Sequence, residues 1–258
     1  MCYQYILTNK EANIGILTIN QPEKRNMLHL AALKEIESAL DEWKDDLDVN
    51  VVIVTGAGDQ SFVSGADINE LNKRTMIEAL QPNMTATYQK IENYEKPIIA
   101  AINGAAVGGG LELALACDVR IAVKEAKLGL PELNLGIIPG AGGTQRLTRI
   151  LGKGKAMELI LTGDIITGED AERFGIVAKA VERAELMETA MSYAARIATK
   201  SPLALKIAKM VVNKGADIGM DTALMFEKLG QALLMGSEDK NEGTRAFLEK
   251  RAANFQGR

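Results

Sequence analysis

Hydrophobic positions along the first 180 residues fall into two alternating spacings. Residues 5–8 and 14–20 carry short β-rich runs and read as a hairpin, whereas residues 30–47 place apolar side chains at helical spacing and predict an amphipathic helix. The run VVIVT at 51–55 is continuously apolar and ends in a glycine turn, the pattern of a buried strand. Further strands are predicted at 98–103, 119–123 and 176–181. Apolar strands joined by long helical connections predict an α/β chain with substantial parallel pairing.

After about residue 183 the strand pattern stops. Ser201 followed by Pro202 predicts a helix start, with Gly215 placed to end that helix. Residues 218–234 carry Met225, Leu229, Ala232 and Leu233 at helical spacing, and 238–251 form another helical pattern. The chain therefore divides into a core over 1–198 and a helical region over 199–258, which packs on the core or on another subunit. No fixed-period repeat, low-complexity tract or flexible linker interrupts it.

Composition narrows the partners. The 258 residues are 47% hydrophobic and 25% charged, the balance of an ordinary globular protein. Aromatic residues make up only 4%, so stacking platforms for bases are scarce, and a net charge of −4 gives no general attraction to phosphate backbones or anionic lipid. Nucleic acid and membrane are thus poor partners. Only Cys2 and Cys117 are present, too few for a disulfide framework, which favours a reducing compartment. The start MCYQYILTNKEANIGILTI lacks the charged-then-apolar order of a signal peptide, and a cytoplasmic location is expected.

Several chemistries are hard to build. His29 is the sole histidine, so a zinc site or a Ser/His/Asp triad lacks its parts. Ser64 sits in FVSGAD, without the first glycine of a nucleophile elbow, and reads as a turn residue. The strand VVIVT followed by GAGDQS, residues 56–61, opens like a dinucleotide-binding unit, but Ser61 stands where the third glycine belongs and FVSGAD interrupts the expected helix. A simple glycine turn explains Gly56 and Gly58.

Three glycine-containing segments remain: SFVSGADI at 61–68, INGAAVGGGLELALACDVRIA at 102–122 and AKLGLPELNLGIIPGAGGTQRL at 126–147. Glu112 lies in a stretch apolar on nearly every side, where an unpaired carboxylate pays heavily for desolvation; it must be paired, protonated or lining a cavity. Burial also raises a carboxyl pKa, which makes Glu112 an acid/base candidate, although an acid at a helix start also complements the helix dipole. Glu132 follows Pro131 in another apolar run and is either a second such group or a solvated turn residue. Gly108 to Gly110 let backbone approach a ligand and expose amide hydrogens suited to an oxyanion, or serve close helix packing.

Together the three segments resemble the crotonase superfamily, over essentially the whole chain. The resemblance implies a spiral core of ββα units with a C-terminal helical region that joins three subunits, often as a dimer of trimers. It further implies an acyl-CoA thioester substrate, no separate cofactor because coenzyme A belongs to the substrate, and no metal. SGADI is similar to the family's first oxyanion segment and NGAAVGGGLELALACD to its second, so the N–H groups of Ala66 and Gly109 would hold the thioester oxygen. Glu112 and Glu132 would flank the reacting carbons, with both carboxylates present as in the hydratases rather than one as in the isomerases. Ala66, Asp67, Ile68, Gly108, Gly109, Leu130 and Pro131 would contact substrate. Leu130 replaces a glutamine and Met27 an alanine of related hydratases, and Lys250 resembles lysines that reach a CoA phosphate of a neighbouring subunit, though a surface lysine is the simpler reading. Enoyl-CoA hydratase is the leading function. An isomerase and a non-catalytic acyl-CoA or RNA binder are the alternatives.

Overall fold

The computed structural model describes residues 3–65, 67–81 and 83–258. The hairpin is β1 (Ile6–Glu11) against β2 (Ile14–Ile19), paired antiparallel with Ile6 opposite Ile19. Then come β3 (Val51–Gly56), β4 (Ser61–Val63), β5 (Ile98–Ile102), β6 (Ala105–Val107), β7 (Val119–Val123), β8 (Lys127–Gly129), β9 (Ile166–Thr167) and β10 (Lys179–Val181). They form two sheets, of order β1-β2-β3-β5-β7-β10 and β4-β6-β8-β9.

This order creates the repeating unit. β3, β5 and β7 lie side by side and parallel in the larger sheet, and each is followed within a few residues by a short strand of the smaller sheet, β4, β6 and β8. A helix then returns the chain to the larger sheet, Met84–Glu92 after β4 and Gly109–Ala116 after β6; after β8 the helix Gly143–Thr162 leads first to β9 of the smaller sheet, and the helix Gly168–Phe174 completes the return to β10. Each turn advances by one strand, so three ββα units wind side by side.

The larger sheet is the core because its central strands have no solvent face. Every residue of β3 and β5 is buried, which is why their sequences are continuous apolar runs without alternation. The helix Leu30–Lys44 turns Ala32, Leu33, Ile36, Ala39, Leu40 and Trp43 inward at three- and four-residue spacing. His29 caps this helix, its Nδ1 accepting from Ala32 N–H at 3.4 Å while Nε2 faces Gln21 Oε1 at 3.2 Å. The only histidine is thus a structural cap.

Two expectations need correction at their boundaries. The predicted strand over 176–181 pairs only over Lys179–Val181; Ile176 and Val177 are buried in the turn that ends the helix Gly168–Phe174, where both N–H groups donate to the Ala171 carbonyl. Their apolar character reflects packing, not sheet pairing. The predicted helix over 30–47 stops at Lys44. The predicted helix start holds: Ser201 Oγ accepts from Ala204 N–H at 3.1 Å and Pro202 begins the helix Pro202–Gly215. After β3 the chain enters β4 rather than a helix, which removes the dinucleotide-binding unit. Ser64 lies outside helix and strand, its N–H donating to Arg25 carbonyl at 3.2 Å. Burial pushes the Cys117 thiol up to about 12, so it is an inert core group. Cys2 lies outside the described residues.

Candidate active site

The GGG segment forms a tight junction between β6 and the helix Gly109–Ala116. Gly108 has φ +56° and ψ −125°, a backbone state that a side chain opposes, and its N–H donates to Gly129 carbonyl at 2.9 Å. At Gly110 the constraint is space: a Cβ there would lie 1.8 Å from the Val63 carbonyl oxygen. The helix start is thereby pressed against the end of β4. Gly109 is the first helical residue, so its N–H has no partner within the helix. A Cβ on Gly65, just beyond β4, would come 3.4 Å from that Gly109 nitrogen. The two glycine segments read as oxyanion elements therefore meet. Ala66, the other expected donor, lies outside the described residues.

Glu112 sits one turn into this helix and is 3% exposed. Its Oε1 accepts from the N–H groups of Ala141 at 2.7 Å and Gly143 at 2.8 Å. Gly143 is the first residue of the helix Gly143–Thr162, so the carboxylate faces a positive helix end. Desolvation raises its pKa, while the Gly143 and Ala141 donors and the charge of Arg146 oppose that rise. Of the fates expected for this carboxylate, pairing is the one the fold supplies.

Glu132 opens the short 3-10 turn Glu132–Leu135, with Pro131 before it. A Cβ on Gly108 would be 3.1 Å from Glu132 Oε1, so this carboxylate lies against the space that the missing side chain leaves. Glu132 Oε2 is buried without a hydrogen-bond partner among the described residues. Burial, with a smaller contribution from the Glu112 charge against the turn's own backbone hydrogen bond, pushes this carboxyl up to about 7.

That displacement has a stability consequence. The Glu132 carboxyl titrates near 4.5 when free and near 7 in the fold, so between these values the folded state holds more protons than the unfolded one. Its contribution is fully present below pH 4.5 and is lost as pH rises through 7. Replacing Glu132 by Gln removes the titration: relative to wild type, Glu132→Gln should gain melting temperature progressively from pH 4.5 to 7. A wild-type-to-variant difference that is constant across this range contradicts the raised pKa.

The other expected contacts divide. Leu130 is buried, and a Cβ built on Gly143 would touch Leu130 Cδ1 and Glu112 Oε1 alike at 3.0 Å, so this leucine contributes apolar wall beside the carboxylate. Asp67 caps the short helix Ile68–Lys73 by accepting from Asn69 N–H at 2.7 Å, and it lines an open cavity with Leu28, Leu33, Leu71 and Met84. Ile68 is 57% exposed and lies outside that lining. Two residues escaped the sequence reading. Tyr88 is fully buried and donates to Gly109 carbonyl at 2.8 Å, and Met84 Sδ lies 3.2 Å from a Cβ position on Gly109. Both lie in a segment without a distinguishing motif.

The chain is similar to known proteins in both sequence and fold. The family model described as Enoyl-CoA hydratase/isomerase matches residues 9–258. The chain is 43% identical over 248 residues to the short-chain-enoyl-CoA hydratase of Clostridium acetobutylicum, covering 95% of each chain. It is also 43% identical over 257 residues to the crotonyl-CoA hydratase of Syntrophomonas wolfei, covering 99% of each. An enoyl-CoA hydratase of Bacillus anthracis superposes with a TM-score of 0.94 at 38% identity, over 99% of this chain and all of that one. Fold and sequence converge: the chain belongs to the enoyl-CoA hydratase/isomerase family.

Proposed function

We propose that this protein is an enoyl-CoA hydratase, reversibly adding water syn across the double bond of a trans-2-enoyl-CoA to give a 3-hydroxyacyl-CoA, in fatty-acid or related acyl-CoA metabolism. The observation that carries this reading is the pair of carboxylates at one glycine junction, one held by backbone donors and one with a pKa near neutrality. An isomerase moves one proton between two carbons and needs only one such group.

The thioester oxygen binds at the Gly109 N–H, with Ala66 as the second donor, so negative charge that develops on oxygen in the transition state meets donors already in place. Glu112, whose two N–H donors favour its ionised form against the desolvation that raises its pKa, takes a proton from the water whose oxygen bonds to the β carbon. Glu132 holds a proton at neutral pH and delivers it to the α carbon. Two O–H bonds, one of water and one of the Glu132 carboxyl, and one carbon–carbon π bond break; a C–O bond, a C–H bond and the O–H bond of the Glu112 carboxyl form. Proton exchange with solvent then resets both carboxyls. Coenzyme A arrives as part of the substrate, so the chain's own residues supply the chemistry, and a cytoplasmic location belongs to the same reading, supported by the scarcity of cysteine.

The direct test is crotonyl-CoA. Purified protein should bleach the ultraviolet band of the conjugated enoyl thioester; an unchanged band despite acyl-CoA binding identifies a binder and rejects the reading.

The same reading includes self-assembly. Of the helix Met220–Met235 only Gly230 is buried, while Leu224, Met225, Leu229 and Leu233 are at least half exposed. Such a contiguous apolar face fits a subunit interface. The mass in solution should correspond to a trimer or a dimer of trimers, and a stable, active monomer at micromolar concentration contradicts this.

A further inference from the structure

We propose that Arg146 is a positioning residue for Glu112, acting through the loop of residues 140–143 that holds this carboxylate. The inference rests on the proposed acid/base role of Glu112. The Arg146 guanidinium donates from Nη1 to the Ala141 carbonyl at 2.9 Å, and from Nε and Nη2 to the two carboxylate oxygens of Glu92 at 3.0 and 2.9 Å. Ala141 is the residue whose N–H holds Glu112 Oε1. The arginine thus binds the same loop residue whose N–H holds the Glu112 carboxylate.

Two features make this a built arrangement. Gly142, at φ +101°, leaves open the space that a Cβ would take 2.2 Å from Arg146 Nη1, so the loop folds directly onto the guanidinium. The Arg146 side chain is only 12% exposed, and its partner Glu92 is anchored in turn, with its backbone carbonyl accepting from Asn213 Nδ2 at 2.9 Å. A bidentate pair of this kind fixes both distance and orientation, which a lysine cannot reproduce. Three other charged or titratable groups bear on Glu112: Glu132 and Tyr88 by proximity and Glu92 as the counter-charge of Arg146. Arg146 supplies the positive charge that favours the ionised form of Glu112.

The test compares Arg146→Gln and Arg146→Lys with wild type, each alone and in a Glu112→Gln background. With crotonyl-CoA, Arg146→Gln should lower kcat by about 10- to 10²-fold, the scale expected for a displacement of about 1 Å at a reacting group, with KM little changed. Its acid limb should move to higher pH, because Glu112 loses both a positive neighbour and well-placed donors. Arg146→Lys, which keeps the charge and loses the fork, should restore the acid limb more than kcat. In the Glu112→Gln background the same substitution should cost little further, since its effect passes through the missing carboxylate. An equal fold-loss in both backgrounds would mean that Arg146 serves folding in general, and overturns the proposal.

Side-chain carboxyl NMR of labelled glutamate follows Glu112 without turnover, its signal assigned by loss in Glu112→Gln. A higher titration midpoint in Arg146→Gln supports the proposal and an unmoved midpoint overturns it. Wild-type inactivity on enoyl-CoA is a separate result, bearing on the hydratase reading alone.

Discussion

Glu112→Gln and Glu132→Gln should each lower the rate of enoyl-CoA hydration by about 10²- to 10⁴-fold, the range for a positioned acid or base, while acyl-CoA binding stays largely intact. Gln keeps the size of the side chain and cannot exchange the proton. At position 112 its amide oxygen can still accept from the Ala141 and Gly143 N–H groups, so the loop keeps a partner. At position 132 the neutral amide resembles the protonated acid that burial already favours. Both variants should therefore fold. If the two carboxyls act on one water, the double variant will be far less damaged than the product of the single losses, because groups acting as a unit are not additive. Full hydration by either variant overturns the paired-carboxylate mechanism. An isomerase dependent on Glu132 alone is separable by the same proteins: it would retain double-bond migration in Glu112→Gln.

Gly109→Pro should lower every thioester reaction of this protein by about 10²- to 10³-fold by removing one oxyanion donor. From the sequence alone, a proline there is expected to disturb the helix start. The structure assigns Gly109 to the first helical position, where proline's fixed φ is accommodated and no intrahelical hydrogen bond is lost. The nearest atom to a new Cβ is Met84 Sδ at 3.2 Å, the end of a flexible side chain. A folded variant with a near-native melting temperature and a deep loss of turnover is the expected combination. Normal turnover in such a variant means that the Gly109 N–H does not serve the reaction.

The contrast between Gly109 and Gly110 illustrates how far one glycine motif can be read. The sequence places three adjacent glycines at a helix start and allows either an oxyanion donor or close packing. The fold makes the roles distinct: Gly108 permits the backbone turn, Gly109 has an N–H without a partner within the helix, and Gly110 admits the Val63 carbonyl at a distance that no side chain tolerates. Chain geometry, not composition, divides these tasks.

Much of the fold was legible because its causes are local. A fully buried parallel strand must be apolar throughout, so β3 and β5 declare themselves; an amphipathic helix shows its period, and Ser201 followed by Pro202 marks a helix start within two residues. The strands β4, β6, β8 and β9 were not legible, because two or three residues carry no period and exist as strands only through pairing with one another. The site divides in the same way. An acid amid apolar residues is visible from the sequence as a group that needs a partner, and Glu112 and Glu132 were identifiable as candidates on that ground. Which partners they find is decided across the chain: Glu112 meets the N–H groups of residues 29 and 31 positions away, and Arg146 reaches Glu92 across 54. Desolvation acts on any buried acid, but the donors and charges that set its protonation come from segments brought together only by the winding of the ββα units.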